Sequence, residues 1–192
     1  MCFKHETPES PPRSQFRIGW LMQVWFWRQA NVALGEAVAA AASSGHDGRD
    51  YRAALCRFED DLFARYPDGH RIMDAAETQT LIVTVFTAWG RPLPRLELVA
   101  GFADPKVGGY ADVEGNRILI EEGCLYRFLV LHEAAQLLVP EDNRHGAAFT
   151  YVLQMLYRVF IGIPERAVRD LLRHHGLPSC TALPQECRRA AA

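Results

Sequence analysis

The chain has 192 residues, of which 49% are hydrophobic and 23% charged, and its formal net charge is -2 at pH 7. These values are typical of a globular domain of ordinary size with its own hydrophobic core. A net charge so near zero argues against nucleic acid or an anionic membrane as the main partner.

The odd number of cysteines and the lack of a C-x-x-C pair indicate neither a disulfide framework nor a thiolate zinc site. We therefore expect a reducing, cytoplasmic environment. The cysteines are Cys2, Cys56, Cys124, Cys180 and Cys187.

The first part of the chain differs in composition from the rest. Residues 1–13 are rich in proline and polar side chains, which predicts a disordered lead. Residues 14–47 predict an amphipathic helix with aromatic side chains such as Trp20, Trp25 and Trp27. Polar residues interrupt this segment too often for a membrane span or a signal peptide. We expect its aromatic face to pack on the domain; the alternatives are a second copy in a homodimer or a membrane surface.

Residues 48–177 carry regular patterns that predict one domain. Helical spacing of apolar residues predicts helices at Asp50–Tyr66 and Ala75–Trp89. Alternating apolar residues predict a strand at Leu96–Phe102. Two further runs, Gly108–Val113 and Arg117–Ile120, flank a Glu-Gly-Asn turn and predict a hairpin.

The second half of this domain predicts three more helices. An almost wholly apolar helix spans Leu125–Val139 and should be buried. After a turn at Pro140–Arg144, a helix spans Gly146–Ile161, and a last one runs from Pro164 to His175. Residues 178–192 predict a flexible tail. The order of helices, a small antiparallel sheet and helices predicts an α+β fold.

Two groups of charged residues have simple structural interpretations. The basic and acidic residues of the first helix in the domain are interpreted as a solvated, ion-paired face. These are Arg52, Arg57, Arg65, Glu59, Asp60 and Asp61. His174 and His175 fall at the end of the last helix, where imidazolium complements the helix dipole, and we favour that role over metal binding.

The apolar helix is interrupted by His132-Glu133-Ala134-Ala135-Gln136. This sequence follows the zinc-hydrolase pattern H-E-x-x-H, in which two histidines one turn apart hold the metal and the glutamate is a general base, except that Gln136 replaces the second histidine. His132 and Gln136 share one face of the helix, and buried polar groups without partners cost about 1–3 kcal/mol each. His145 opens the next helix and should face back toward His132.

The stretch from His132-Glu133 to His145-Gly146-Ala147-Ala148-Phe149 resembles the zincin-type pattern of SprT-like proteins, H-E-x-x-H followed by H-G-x-x-F. It is most similar to a family of small actinobacterial proteins described as metallohydrolases. That family also has an early helix like Arg49–Glu59 and a late helix like Gly162–Arg169. The resemblance covers residues 49–177 and implies a zincin-like, minimal metalloprotease-like domain with a hydrolytic site.

The resemblance implies a role for each matching residue. His132 and His145 match metal ligands, Glu133 matches the general base, and Gln136 stands at the third ligand position. A carboxamide oxygen is a poor substitute for imidazole on zinc, so we expect weak zinc binding, with another divalent metal or no metal as the alternatives. Tyr110, on a strand beside the helix, is a further catalytic candidate.

Three functions therefore remain open from the sequence. The leading hypothesis is a degenerate metallohydrolase that acts on a small-molecule or peptide substrate, with Glu133 as general base. The second is a metal-free enzyme that acts on a small metabolite in the same cleft. The third is a binding or scaffold protein, a pseudoenzyme that keeps the fold without catalysis.

Overall fold

The computed structural model describes residues 51–104, 107–139 and 145–178. The predicted lead, the N-terminal aromatic helix, the turn at residues 140–144 and most of the predicted tail lie outside the described residues. Five α-helices and three strands occur within the described ranges. The helices are α1 (Arg52–Arg65), α2 (Ala75–Ala88), α3 (Arg127–Leu138), α4 (Ala147–Leu156) and α5 (Glu165–His174). The strands are β1 (Arg95–Val99), β2 (Gly109–Asp112) and β3 (Arg117–Glu121). This composition confirms the α+β class.

The predicted helices and strands occur close to their expected positions. For α2 the sequence is rich in β-branched residues, and its helical state follows from a capping box at its start. The Glu77 backbone N–H donates to Asp74 Oδ1 over 2.7 Å, and the Asp74 backbone N–H donates to Glu77 Oε2 over 3.2 Å. This reciprocal pair satisfies two backbone donors that helix formation leaves without intrahelical partners.

The sheet is mixed, and the prediction of an antiparallel sheet was wrong in this respect. The strand order is β1-β3-β2: β2 and β3 form the predicted antiparallel hairpin, but β1 pairs parallel with β3. Arg117 ties the central strand to both neighbours, since Nε donates to Asp112 Oδ2 at 2.8 Å and Nη1 lies 3.2 Å from Glu97 Oε2. Local alternation of residues identifies strands but does not tell which strand takes the centre.

Helix α3 is the central element of the core. It packs against α2, α4, β2 and β3. Its buried residues include both apolar side chains and Glu133. The expectation of a buried helix between Leu125 and Val139 is therefore confirmed; the helix carries Glu133 into the core, while His132 and Gln136 are half-buried.

The helix predicted from Gly146 to Ile161 changes its geometry near its end. Regular α-helix stops at Leu156, and Tyr157–Ile161 forms a π-helical turn that Gly162 ends with a φ of 80°. Such π-turns are rare and frequently lie at functional sites. Here the turn begins at Tyr157, whose side chain is fully buried.

None of the helices among the described residues is both long enough and apolar enough to cross a membrane.

Candidate active site

The imidazole of His132 is held by a buried carboxylate from a distant part of the chain. His132 Nδ1 lies 2.8 Å from Glu59 Oε1, which α1 contributes. The side chains of both residues are largely buried, with 14% of His132 and 9% of Glu59 exposed. With Nδ1 engaged by a carboxylate, Nε2 is the nitrogen that is left for another partner.

Tyr157 supplies a second hydrogen bond to the same carboxylate. Its hydroxyl donates to Glu59 Oε1, and the Tyr157 side chain is fully buried. Buried polar networks of this kind fix their side chains in one arrangement when every member has a partner. Glu59 and Tyr157 therefore determine the position of the His132 ring.

This network shifts the pKa values of two of its members. Burial alone would lower the pKa of His132, but the charge of Glu59, its hydrogen bond and the charge of Glu133 together raise it from 6.5 to about 9. The pKa of Tyr157 is raised well above 10 by burial and then by the charge and hydrogen bond of Glu59. Tyr157 therefore stays protonated and acts as a donor to Glu59.

The second predicted imidazole lies close to the first. The ring centroids of His132 and His145 are 5.9 Å apart. The buried ring of Phe149 contacts both, at centroid distances of 5.0 Å from His132 and 5.2 Å from His145. Gln136 Nε2 lies 3.5 Å from His145 Nε2. The structure thus brings together the three residues predicted as ligands, and Phe149 supports both imidazoles from one side.

His145 has an unusual backbone conformation. Its φ is 59°, in the left-handed region that residues other than glycine rarely adopt. It directly precedes Gly146, the N-cap of α4. A histidine in this conformation carries local strain of about 1 kcal/mol, and such strain is concentrated at functional sites.

Glu133 lies in the core beside the edge strand β2. Its side chain is 4% exposed, and it approaches the backbone of Gly109. A Cβ atom at position 109 would stand 3.0 Å from Glu133 Cγ and 3.3 Å from Oε1. Because glycine has no side chain, position 109 leaves space for the Glu133 side chain.

Tyr110 has a different environment from the other candidates. It lies on β2 next to Gly109 and is 51% exposed. Because successive side chains of a strand point to opposite faces, Tyr110 and Gly109 lie on opposite faces of β2. The Gly109 face is the one against Glu133, so Tyr110 lies on the face turned away from that carboxylate. The catalytic role of Tyr110 stays a prediction.

Sequence reasoning missed the role of Glu59. We expected it on a solvated, ion-paired face, but it is buried against His132 and Tyr157, so that expectation was wrong. A signal was present, because Glu59 lies four residues after Leu55 and three before Leu62, both of which are buried in the core. A carboxylate on the apolar stripe of a helix needs a buried partner. No comparable signal marks Tyr157, which reads as a core aromatic residue.

The separation of the two imidazoles is compatible with one shared divalent metal, while the donor set is weak. Two imidazoles bound to one zinc through bonds of about 2.0–2.1 Å place their ring centroids about 5–6 Å apart, which agrees with the observed 5.9 Å. Gln136 could present its carboxamide oxygen after a half-turn of the amide group. A neutral oxygen in place of a third imidazole reduces affinity for zinc.

A groove among the described residues lies away from these side chains. It is an open depression of about 490 Å³ that borders α2 and the start of α3, where Arg71, Glu77 and Arg127 contribute to its wall. Arg71 and Glu77 pair with each other across 3.0 Å. The lining of this groove does not include His132, Glu133 or His145, so the groove is separate from the buried polar network around His132.

Comparisons of the chain with protein-family models, with curated proteins and with solved structures give no match. The zincin-type resemblance therefore stays a hypothesis.

Proposed function

We propose that this chain is a degenerate zincin-type metallohydrolase. In this proposal His132 and His145 hold a divalent metal, Gln136 is a weak third ligand and Glu133 is the general base. The proposal joins the motif resemblance to the geometry of these four residues.

One observation carries the proposal more than any other: the contact of Glu59 with His132 Nδ1 at 2.8 Å. Histidines that bind metals almost always donate their other ring nitrogen to a carboxylate, a carbonyl or water, which fixes the tautomer and the ring orientation. Any buried histidine needs a polar partner, but a carboxylate that is itself held by a second hydrogen bond also fixes the ring orientation that a metal ligand requires. The second hydrogen bond to Glu59 from Tyr157 supports the same interpretation, because it positions the carboxylate itself.

The residues of the chain have separable roles in this mechanism. A divalent metal, when bound, supplies Lewis-acid catalysis of attack on a carbonyl or similar group. Glu133 accepts the proton of the attacking water and delivers it to the leaving group. The core around Glu133 keeps bulk water away, which strengthens electrostatic interactions in the site. Gly109 leaves the space in which the Glu133 side chain lies.

A metal-free cleft is the second candidate, and the contact between Gln136 and His145 favours it. A carboxamide 3.5 Å from the imidazole nitrogen gives that nitrogen a polar neighbour without any metal. In this reading the site either catalyses acid–base chemistry on a small metabolite or only binds a ligand. The two candidates differ in one measurable property, the affinity for zinc.

The test restores the missing imidazole. We expect Gln136→His to bind zinc at least about 10-fold more tightly than the unchanged chain, since the loss of even a residue that only supports a ligand costs about 10–100-fold in affinity. Both the Gln136→His chain and its Gln136 reference should also carry Asp61→Asn and His174→Gln, because Asp61, His174 and His175 form a separate group of metal-ligating side chains outside the His132 site. Equilibrium dialysis against Zn²⁺ measures the affinity, and hydrolysis of casein measures the activity of the zinc-loaded proteins.

Two controls separate the ligands from the base. Gln136→His combined with His145→Gln should lose the added affinity, whereas Gln136→His combined with Glu133→Gln should keep zinc and lose hydrolysis. The proposal fails if Gln136→His gains no zinc affinity. It also fails if Glu133→Gln leaves turnover unchanged.

A further inference from the structure

A second group of metal-ligating side chains lies on the other side of α1. Asp61 of α1 meets His174 and His175 at the C-terminal end of α5, and one nitrogen or oxygen from each of the three residues lies within 4.8 Å of the others. His175 Nε2 is 2.9 Å from Asp61 Oδ2. The residues of this cluster are different from those of the His132 site.

The local backbone explains how two adjacent histidines share one site. His174 is the last residue of α5, and His175 is its C-cap, with φ -87° and ψ 6°. The helix thus ends between the two residues. Their rings lie nearly perpendicular, with centroids 4.9 Å apart and an interplanar angle of 82°.

The surroundings of the cluster are asymmetric. The side chain of His175 is only 9% exposed, and its ring meets the edge of the buried Phe58 ring at a centroid distance of 6.5 Å. His174 is exposed, and 49% of the Asp61 side chain is exposed. One side of the cluster is therefore closed by the core, and the other is open to water. The C-terminal end of a helix also attracts cations through its dipole.

We propose that Asp61, His174 and His175 form a second divalent-metal site that joins α1 to α5, and that Zn²⁺ is the ion that fits it. Two imidazoles and one carboxylate are typical zinc donors, and three protein ligands leave a fourth position for water. Tetrahedral zinc places ligand atoms about 3.3–3.5 Å apart, given metal–ligand bonds of about 2.0–2.2 Å. Rotation of exposed side chains reaches this spacing from the present separations.

In the binding step Zn²⁺ takes the place of the proton between His175 Nε2 and Asp61. In a neutral ring this proton is replaced by one on Nδ1, and in an imidazolium it goes to solvent. The metal gains a third ligand in His174. Because the ligands belong to two helices that separate on unfolding, zinc binds the folded chain in preference to the unfolded one and stabilises it.

His174 distinguishes this proposal from a simpler role for the cluster. A helix-capping ion pair needs only His175 and Asp61, which already lie in hydrogen-bond contact. His174 is exposed and lies at the end of the helix, so its loss should leave that pair intact. Replacement of His174 therefore removes a metal ligand without removal of the structural contact.

The experiment compares four full-length chains: unchanged, His174→Gln, His145→Gln, and both changes together. Each is dialysed against Zn²⁺, and its melting temperature is measured with zinc and with a chelator. We expect the His145→Gln chain to bind zinc and to melt at least about 4 °C higher with zinc at 100 times its Kd. His174→Gln in that chain should weaken binding at least about 10-fold and remove the shift in melting temperature.

The matched controls are His70→Gln, which removes an exposed imidazole outside the cluster, and Asp60→Asn, which removes the neighbouring exposed carboxylate. Both should leave zinc binding unchanged in the His145→Gln chain. The inference is overturned if the His145→Gln chain binds no zinc, or if His174→Gln leaves its zinc affinity and thermal shift unchanged. Neither result depends on whether the His132 site binds metal, because His145→Gln removes one of its two imidazoles.

Discussion

The two sides of α1 carry the same chemical pair in different surroundings. Glu59 meets His132 at 2.8 Å, and two residues further along the helix Asp61 meets His175 at 2.9 Å. The first carboxylate is 9% exposed and receives a second hydrogen bond from Tyr157, whereas the second is 49% exposed. The contact distances are almost equal, so burial and the number of partners determine how much each pair contributes.

This difference separates two kinds of site. The Glu59 network is closed, and its two hydrogen bonds hold one imidazole in a single orientation. The Asp61 cluster is open and places three donor groups around a space that water reaches. A carboxylate–imidazole distance therefore does not reveal function until its surroundings are known.

The largest effect should come from neutralisation of each carboxylate in turn. We expect Glu59→Gln to lower the free energy of unfolding by about 3 kcal/mol, because it removes the charge that stabilises the protonated His132 ring inside the fold. Asp61→Asn should cost less than about 1 kcal/mol, because solvent screens a half-exposed pair. Urea denaturation of the metal-free chains measures both values. Equal losses would contradict the assignment of the two pairs to different environments.

A smaller effect should appear on a change of pH. The pKa of His132 is about 9 in the folded chain, against an ordinary value of 6.5. A raised folded-state pKa stabilises the fold fully below pH 6.5, and this stabilisation is lost as the pH rises through 9. We expect the free energy of unfolding of the chelator-treated chain to fall by on the order of 2 kcal/mol across this window.

The control for this pH dependence is Glu59→Gln, which removes the charge that raises the pKa of His132. Its free energy of unfolding should vary less with pH between 6.5 and 9, whereas Asp61→Asn should retain the slope of the unchanged chain. A slope that survives in Glu59→Gln would assign the pH dependence to other groups.

The sequence predicts a large part of this structure, because much of it is set by local patterns. The apolar run of α3 predicts a buried helix, and the positions of His132 and Gln136 one turn apart place them on one face. The Glu-Gly-Asn turn predicts the β2–β3 hairpin. Each of these features depends on residues close together in the chain.

The parts that the sequence did not predict depend on contacts over long separations. Glu59 meets His132 across 73 positions and Tyr157 across 98, and no local pattern couples them. The parallel pairing of β1 with β3 likewise depends on which strand occupies the centre of the sheet. The contact of Asp61 with His175 spans 114 positions. The sequence did not predict it, because interaction with the helix dipole was already a sufficient explanation for His175. Local chemistry proposed the ligands, but only the tertiary fold reveals which side chains orient them.

The smallest expected effect concerns the backbone at each imidazole. His145 has a φ of 59°, whereas His174 ends a regular helix. At position 145 we expect glycine to be more stable than alanine by about 1 kcal/mol, because only glycine adopts the left-handed region without strain. At position 174 the order should reverse by a few tenths of a kcal/mol, because alanine favours the helix. Urea denaturation in the presence of chelator measures the free energy of unfolding of the four variants, with glycine or alanine at position 145 and glycine or alanine at position 174. At each position the two compared variants, glycine and alanine, both lack the imidazole. The sign of the difference in unfolding free energy therefore depends on the backbone conformation and not on the loss of the ring. If alanine were as stable as glycine at 145, the backbone there would not be held in a strained conformation, and the imidazole would have no fixed direction toward His132.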